Sequence, residues 1–198
     1  MTRSSTAGAR IGAAILIAAL CGCSSPNAAF YTLSPDTSLE RTGAALPIAV
    51  VVGPVTVPDL LDRPQIVTRV SDNEVALNEF ARWGKPLKSG IARTLAADLD
   101  LLLGAARVSV PGQAALVPET CRVRVDIVRF DAVPGEAVTI DAQWVVRVPG
   151  KPSPIAGRTL ARERLAGPGD AQLVAAQSRA LATVSRDIAA AIRGALPA

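Results

Sequence analysis

Apolar and polar positions alternate most plainly in the middle of the chain. Cys121, Val123, Val125 and Ile127 alternate with Arg122, Arg124 and Asp126. Beyond Pro134-Gly135, Val138, Ile140, Ala142, Trp144, Val146 and Val148 repeat the same period of two. That period assigns successive side chains to opposite faces of a strand. It predicts two antiparallel strands with Trp144 on the core face and the arginines on the other. Lys151–Pro154 predicts a turn, and Arg158–Leu165 a third, more polar strand near an edge. Spacings of threes and fours predict helices instead. Leu87, Ile91, Leu95, Leu99 and Leu102 form one stripe, opened by Pro86 and closed near Gly104. Val174, Leu181, Val184, Ile188 and Ile192 form a longer C-terminal one, capped by Asp170 and ending at Gly194 and Pro197. Gly90 inside the first helix is either a tolerated weak point or a place of close helix–sheet approach.

Upstream, the continuous apolar run Ile48–Val52 is broken by Gly53-Pro54 and resumes at Val55–Val57, which predicts a buried strand with a bend. Gln65–Val70 and Glu74–Asn78 flank Ser71-Asp72-Asn73 as the arms of a hairpin, and Val108–Val110 is a short strand. Two helices against one sheet give the fold class: α/β, a two-layer sandwich with a mostly antiparallel or mixed sheet and both helices on one face.

The N-terminus follows a different pattern. Arg3 and Arg10, with no acidic residue, precede the ten-residue apolar run Ile11–Leu20 and the small residues around Gly22. Basic, then apolar, then small is the order of a secretory signal peptide. Ten apolar residues fall short of the roughly 20 that a helix needs to cross a bilayer. Leu20-Cys21-Gly22-Cys23 resembles the bacterial lipobox, which makes Cys23 the lipidation site and the new N-terminus. Cys21 fits poorly, because Leu20 would stand where a small residue is required. The expected layout is a signal peptide at 1–22, an acylated N-terminus and tether at 23–46 and a single α/β domain at 47–198. Within the Ser-, Pro- and Ala-rich tether, Phe30-Tyr31-Thr32-Leu33 is a β-prone exception and a candidate early strand over 30–33. By analogy with lipoprotein sorting, Ser24 after the acylated cysteine favours an outer-membrane destination facing the periplasm.

Composition removes several functions. The 21 basic and 17 acidic residues give a net charge of +4, of which the two signal arginines contribute two, and no basic block offers a nucleic-acid surface. With Cys21 cleaved off and Cys23 acylated, Cys121 is a lone thiol with no disulfide partner. The sequence contains no histidine, so it lacks Ser-His-Asp and Cys-His nucleophile systems, a histidine base and the usual zinc ligands. None of Lys85, Lys88 and Lys151 stands in a Ser-x-x-Lys setting, and Gly167-Pro168-Gly169 lacks the spacing of a phosphate loop. The reading is of a non-enzyme without metal or cofactor, a histidine-free hydrolase being the remaining catalytic alternative.

The lipobox, Phe30-Tyr31-Thr32-Leu33, the Ile66–Arg69 and Asn73–Leu77 hairpin, Arg82-Trp83, Pro86-Leu87 and the Trp144 strand occur in an order that resembles the ABC-type transport auxiliary lipoproteins, the PqiC-like family. Lys85 departs from it, standing where most members carry an acidic residue. The resemblance implies an outer-membrane lipoprotein that assists an ABC permease and ATPase and an MCE-domain protein in moving lipid across the periplasm. A structural envelope lipoprotein without a transporter is the alternative. Candidate partner-binding residues are Trp83, ahead of the helix that Pro86 opens, and Arg122, Arg124 and Arg147 on the polar sheet face, with Arg162 or Arg164 beside them. Asp126 and Asp141 dilute that positive charge. A ring buried beneath the helix is the competing role of Trp83, self-association is a further expectation, and Leu101-Leu102-Leu103 offers more apolar surface than one helix face can bury.

Overall fold

The computed structural model describes residues 27–105, 107–112 and 120–196. The alternating region becomes β6 (Thr120–Val133) and β7 (Ala137–Arg147), paired antiparallel, with β8 (Ile155–Arg164) antiparallel to β7 at the sheet edge. The bent apolar run becomes β2 (Ala49–Thr56), parallel to β6 on one side and to the short β5 (Arg107–Ser109) on the other. The order is β5-β2-β6-β7-β8. β2 is flanked on both sides, and Val50 and Val52, on the face that the helix over Leu87–Leu103 covers, are fully buried. Its register shifts between Val52 and Val55, where the Gly53-Pro54 bond is cis and Gly53 has φ +138°. A Cβ on Gly53 would stand 2.9 Å from the ring of Pro111, so only glycine fits the bend.

Both helices cover one face of this sheet, α1 (Leu87–Leu103) over β2 and β5 and α2 (Asp170–Ala195) over β7 and β8. Every residue named in the two stripes is buried. Gly104 ends α1 in the left-handed conformation, its N–H donating to the Asp100 carbonyl at 2.9 Å. Gly90 is a tolerated weak point, because a Cβ there would meet only Leu33 Cδ1, at an ordinary 3.7 Å. Of the three leucines at the end of α1, Leu102 and Leu103 are buried and Leu101 is exposed.

The two-layer α/β class holds, and three details differ from expectation. The strands form two sheets. The hairpin β3 (Gln65–Ser71) and β4 (Glu74–Trp83) leaves the main sheet and takes β1 (Ala29–Tyr31) as a parallel neighbour, in the order β1-β4-β3. Strand periodicity reports which face is buried and carries no record of the partner. β4 also runs on to Trp83, because Asn78 Oδ1 accepts the N–H groups of Phe80 and Ala81 and absorbs the extra residues as a bulge before the strand resumes beside β1. The cap of α2 is Gly169. Asp170 is the first helical residue, makes no capping bond and instead accepts from Asn78 Nδ2 at 3.1 Å.

Residues 29–46, read from composition as part of a tether, are held by the domain. β1 pairs with β4, the Ser34 N–H donates to Ser178 Oγ, and Leu39 is buried. Arg193 donates to the Ala44 carbonyl, and the Leu46 N–H to that of Leu103. A low-complexity stretch can still dock when its backbone groups find partners on a preformed surface, and composition does not register those partners.

Candidate functional site

Register brings the predicted arginines together on the uncovered face of the five-stranded sheet. Arg122 and Arg147 are directly opposed, and Arg124 lies two residues along β6. Only Arg124 is neutralised. Its Nε and Nη2 donate to Asp126 at 3.2 Å, and Asp126 also accepts from Thr56 Oγ1 at 2.6 Å. These bonds, Arg124's first and then Thr56's, hold the Asp126 carboxyl below its ordinary range. Arg122 and Arg147 have no acidic partner among the described residues, although like charges directly across a ladder repel. On β8, Arg158 binds Asp141 and Arg162 binds Glu136. Of the three arginines at this end of the sheet, Arg122 and Arg147 therefore keep their charge unpaired, and Arg164, exposed at the end of β8 beside Ala137, likewise has no ion pair among the described residues.

Trp83 proves to be a core residue. With Ala81 it faces inward from β4, it is 8% exposed, and its backbone N–H donates to the Pro64 carbonyl at 2.7 Å. Trp83 lines two clefts at the start of α1, one shared with Tyr31 and Gly90 and the other with Arg63 and Pro86. Strand alternation past the bulge turns it inward, so it does not project as a partner anchor. Cys23, the predicted lipidation site, lies outside the described residues, as does the signal segment.

A cleft of about 510 Å³ lies between the hairpin and the far end of β6, which the sequence did not reveal. Leu60, Val67, Val75 and Val128 supply apolar wall, and Arg69, Asp72, Arg129, Asp131 and Asp141 the charges. Arg69 clamps Asp131 through two 3.0 Å bonds and also donates to the Ser71 and Asp72 carbonyls, tying the hairpin turn to the main sheet. Burial pushes the Asp131 carboxyl up, but the bonds from Arg69 and Arg129 outweigh it and keep it ionised; the Arg158 bond does the same for Asp141. Carboxylates held this way are unsuited to general acid or base work near neutral pH. Among the described residues no cluster of metal ligands occurs.

A second polar cluster was also missed. Asp98 is fully buried between the helices, where Oδ1 accepts the Asp36 N–H and Oδ2 accepts from Ser185 Oγ, each at 3.0 Å. It thereby ties the segment after β1 to both helices. Its signal was available, because Asp98 falls three residues after Leu95 on the buried stripe. Burial raises its carboxyl to about 6, against the two hydrogen bonds and Arg186, which lower it; the nearby Asp36 carboxylate adds to the rise. A folded-state value above the unfolded one of 3.8 means that the contribution is fully present below about pH 4 and is lost as pH rises through 6. Unfolding midpoints in urea are expected to fall across that window, by the equivalent of about 2–3 kcal/mol. Asp98→Asn should remove the slope, and an unchanged slope in that variant would count against the assignment.

The fold recurs in solved structures. An uncharacterized protein matches with a TM-score of 0.69 at 22% identity, over 84% of this chain and 99% of its own. A DUF330 protein from Xanthomonas campestris matches with a TM-score of 0.62 at 15% identity, over 81% and 92%. No curated protein matches. The model of the family described as ABC-type transport auxiliary lipoprotein component matches residues 31–189. The chain belongs to that family.

Proposed function

We propose that this protein is an outer-membrane lipoprotein, anchored through acyl chains on Cys23 and facing the periplasm, that serves as the non-catalytic docking component of an ABC transporter and MCE-type lipid transport system. The family match over residues 31–189 carries this reading. The lipobox at Leu20–Cys23 supplies the anchor, and Ser24 supports outer-membrane sorting. The exposed Arg122–Arg147 pair, relieved of no repulsion within the described residues, suits an acidic surface on a partner. Arg124, already bound to Asp126, would contribute less.

Affinity capture of the acylated chain from detergent-solubilised envelopes tests this. An ABC permease, its ATPase and an MCE-domain protein are expected to co-purify, and Arg122→Glu with Arg147→Glu should deplete them while leaving the protein at the membrane. Recovery of envelope-assembly or peptidoglycan-binding proteins alone would favour the structural lipoprotein instead.

A further inference from the structure

The sheet β1-β4-β3 presents an apolar surface that packing within the domain does not use. Ala81 and Trp83 point inward from β4, so by alternation Phe80 and Arg82 point outward, and Phe80 is 50% exposed. The parallel register sets Phe30 opposite Arg82, which puts both phenylalanines on one face, and Phe30 is 67% exposed. Next along the chain, Gly84 lies against β1: a Cβ there would approach Thr32 Cγ2 at 3.2 Å and Phe30 Cβ at 3.9 Å. The adjoining Lys85 is exposed and has no ion-pair partner among the described residues. Arg82 has only a long 3.8 Å contact to Glu79. Two of the three phenylalanines in the chain are thus spent on one exposed, cation-edged patch.

Position along the chain indicates what covers it. Phe30 lies seven residues after Cys23, and seven residues of fully extended chain reach at most about 25 Å. An acyl anchor on Cys23 therefore keeps β1 within that distance of the bilayer, whichever way the rest of the domain turns. Exposed aromatics beside Lys and Arg match the water–lipid boundary, where rings enter the headgroup region and cations meet lipid phosphates. We infer that the Phe30–Phe80 face of the small sheet docks on the phospholipid surface beside the acyl anchor, and so fixes the orientation of the domain on its membrane. This rests on the Cys23 anchor proposed above. The docking holds the five-stranded sheet and its arginines in a set direction relative to the membrane, as a partner approaching across the periplasm would require.

The full acylated chain, reconstituted into vesicles of phosphatidylethanolamine and phosphatidylglycerol, provides the test. Phe30→Trp and Phe80→Trp are made separately, with Leu160→Trp, exposed on the edge strand β8 of the other sheet, as the control, and part of the lipid carries brominated acyl chains as a contact quencher. After subtraction of the parent signal from Trp83 and Trp144, the ring at 30 or 80 is expected to lose about half its emission, as insertion into the headgroup and acyl boundary demands, and the ring at 160 almost none. Vesicle flotation is read on the same samples. A chain that floats while both rings stay as bright as the one at 160 overturns the docking and leaves the anchor standing, with a second copy or a protein partner then covering the face. A chain that does not float overturns both.

Discussion

Replacing Trp144 with Ala is expected to cost about 3–5 kcal/mol, a large share of the stability of a single domain. The ring is buried on the core face of β7 and lies over Gly157, its register partner on β8, where a Cβ would overlap the ring carbons Cζ2, Cη2 and Cε2. Glycine leaves the space and the indole fills it. Trp144 Nε1 also donates to Thr159 Oγ1 at 3.0 Å, and that hydroxyl donates to Asp187 Oδ2 at 2.6 Å, so one side chain links β7, β8 and α2. Removing the ring opens a cavity and takes a partner from a buried hydroxyl. Trp144→Phe should lose far less, about 1–2 kcal/mol for the bond and the reduced volume. Gly157→Ala alone should destabilise by overpacking, and the double variant Trp144→Ala with Gly157→Ala should lose less than the two single losses combined, because the new methyl enters the vacated space. Denaturant titrations followed by circular dichroism check all four chains, and strict additivity would contradict the stacked arrangement.

Cys23→Ala is expected to abolish membrane attachment altogether. On the proposed anchor, two or three acyl chains would contribute about 0.8 kcal/mol per buried methylene, so their loss would not be a graded effect. Among the described residues no helix is long and apolar enough to cross a membrane. Cys121→Ser should leave attachment unchanged. That thiol is fully buried on the core face of β6, and burial pushes it up to about 11, so it is neither accessible nor ionised. Mass spectrometry of the mature N-terminal peptide, with fractionation of the envelope, reads both variants. An unmodified Cys23 in the parent, or acyl chains elsewhere, would remove the anchor.

What the sequence revealed and what it hid follow from the range of the interactions. The stripes of α1 and α2, the alternation of β6 and β7, the bend at Gly53-Pro54 and the left-handed stop at Gly104 are local properties, and each was legible. The departure of β3 and β4 into a second sheet, the parallel seat of β1 and the clamp of Arg69 on Asp131 depend on partners as far as 62 residues away, which no local period encodes. Trp83 was open to two readings for the same reason, since the bulge at Asn78 decides which way it faces. The arginines were placed correctly on one face, but only the register distinguishes the neutralised Arg124 from the free Arg122 and Arg147. Asp98 was readable as a polar residue on a buried stripe, though its partner Asp36 was not.

Whether this domain organises a conduit or carries the cargo itself is read most directly by native mass spectrometry of a chain beginning at Ala28, purified gently from cells without detergent. The cleft of about 510 Å³ between the hairpin and β6 has five charged side chains in its walls, four of them bound in ion pairs, a poor lining for acyl chains. A mass equal to that of the polypeptide, with no retained phospholipid, is the expected result. One phospholipid held per subunit would contradict the docking role and identify the domain as a carrier.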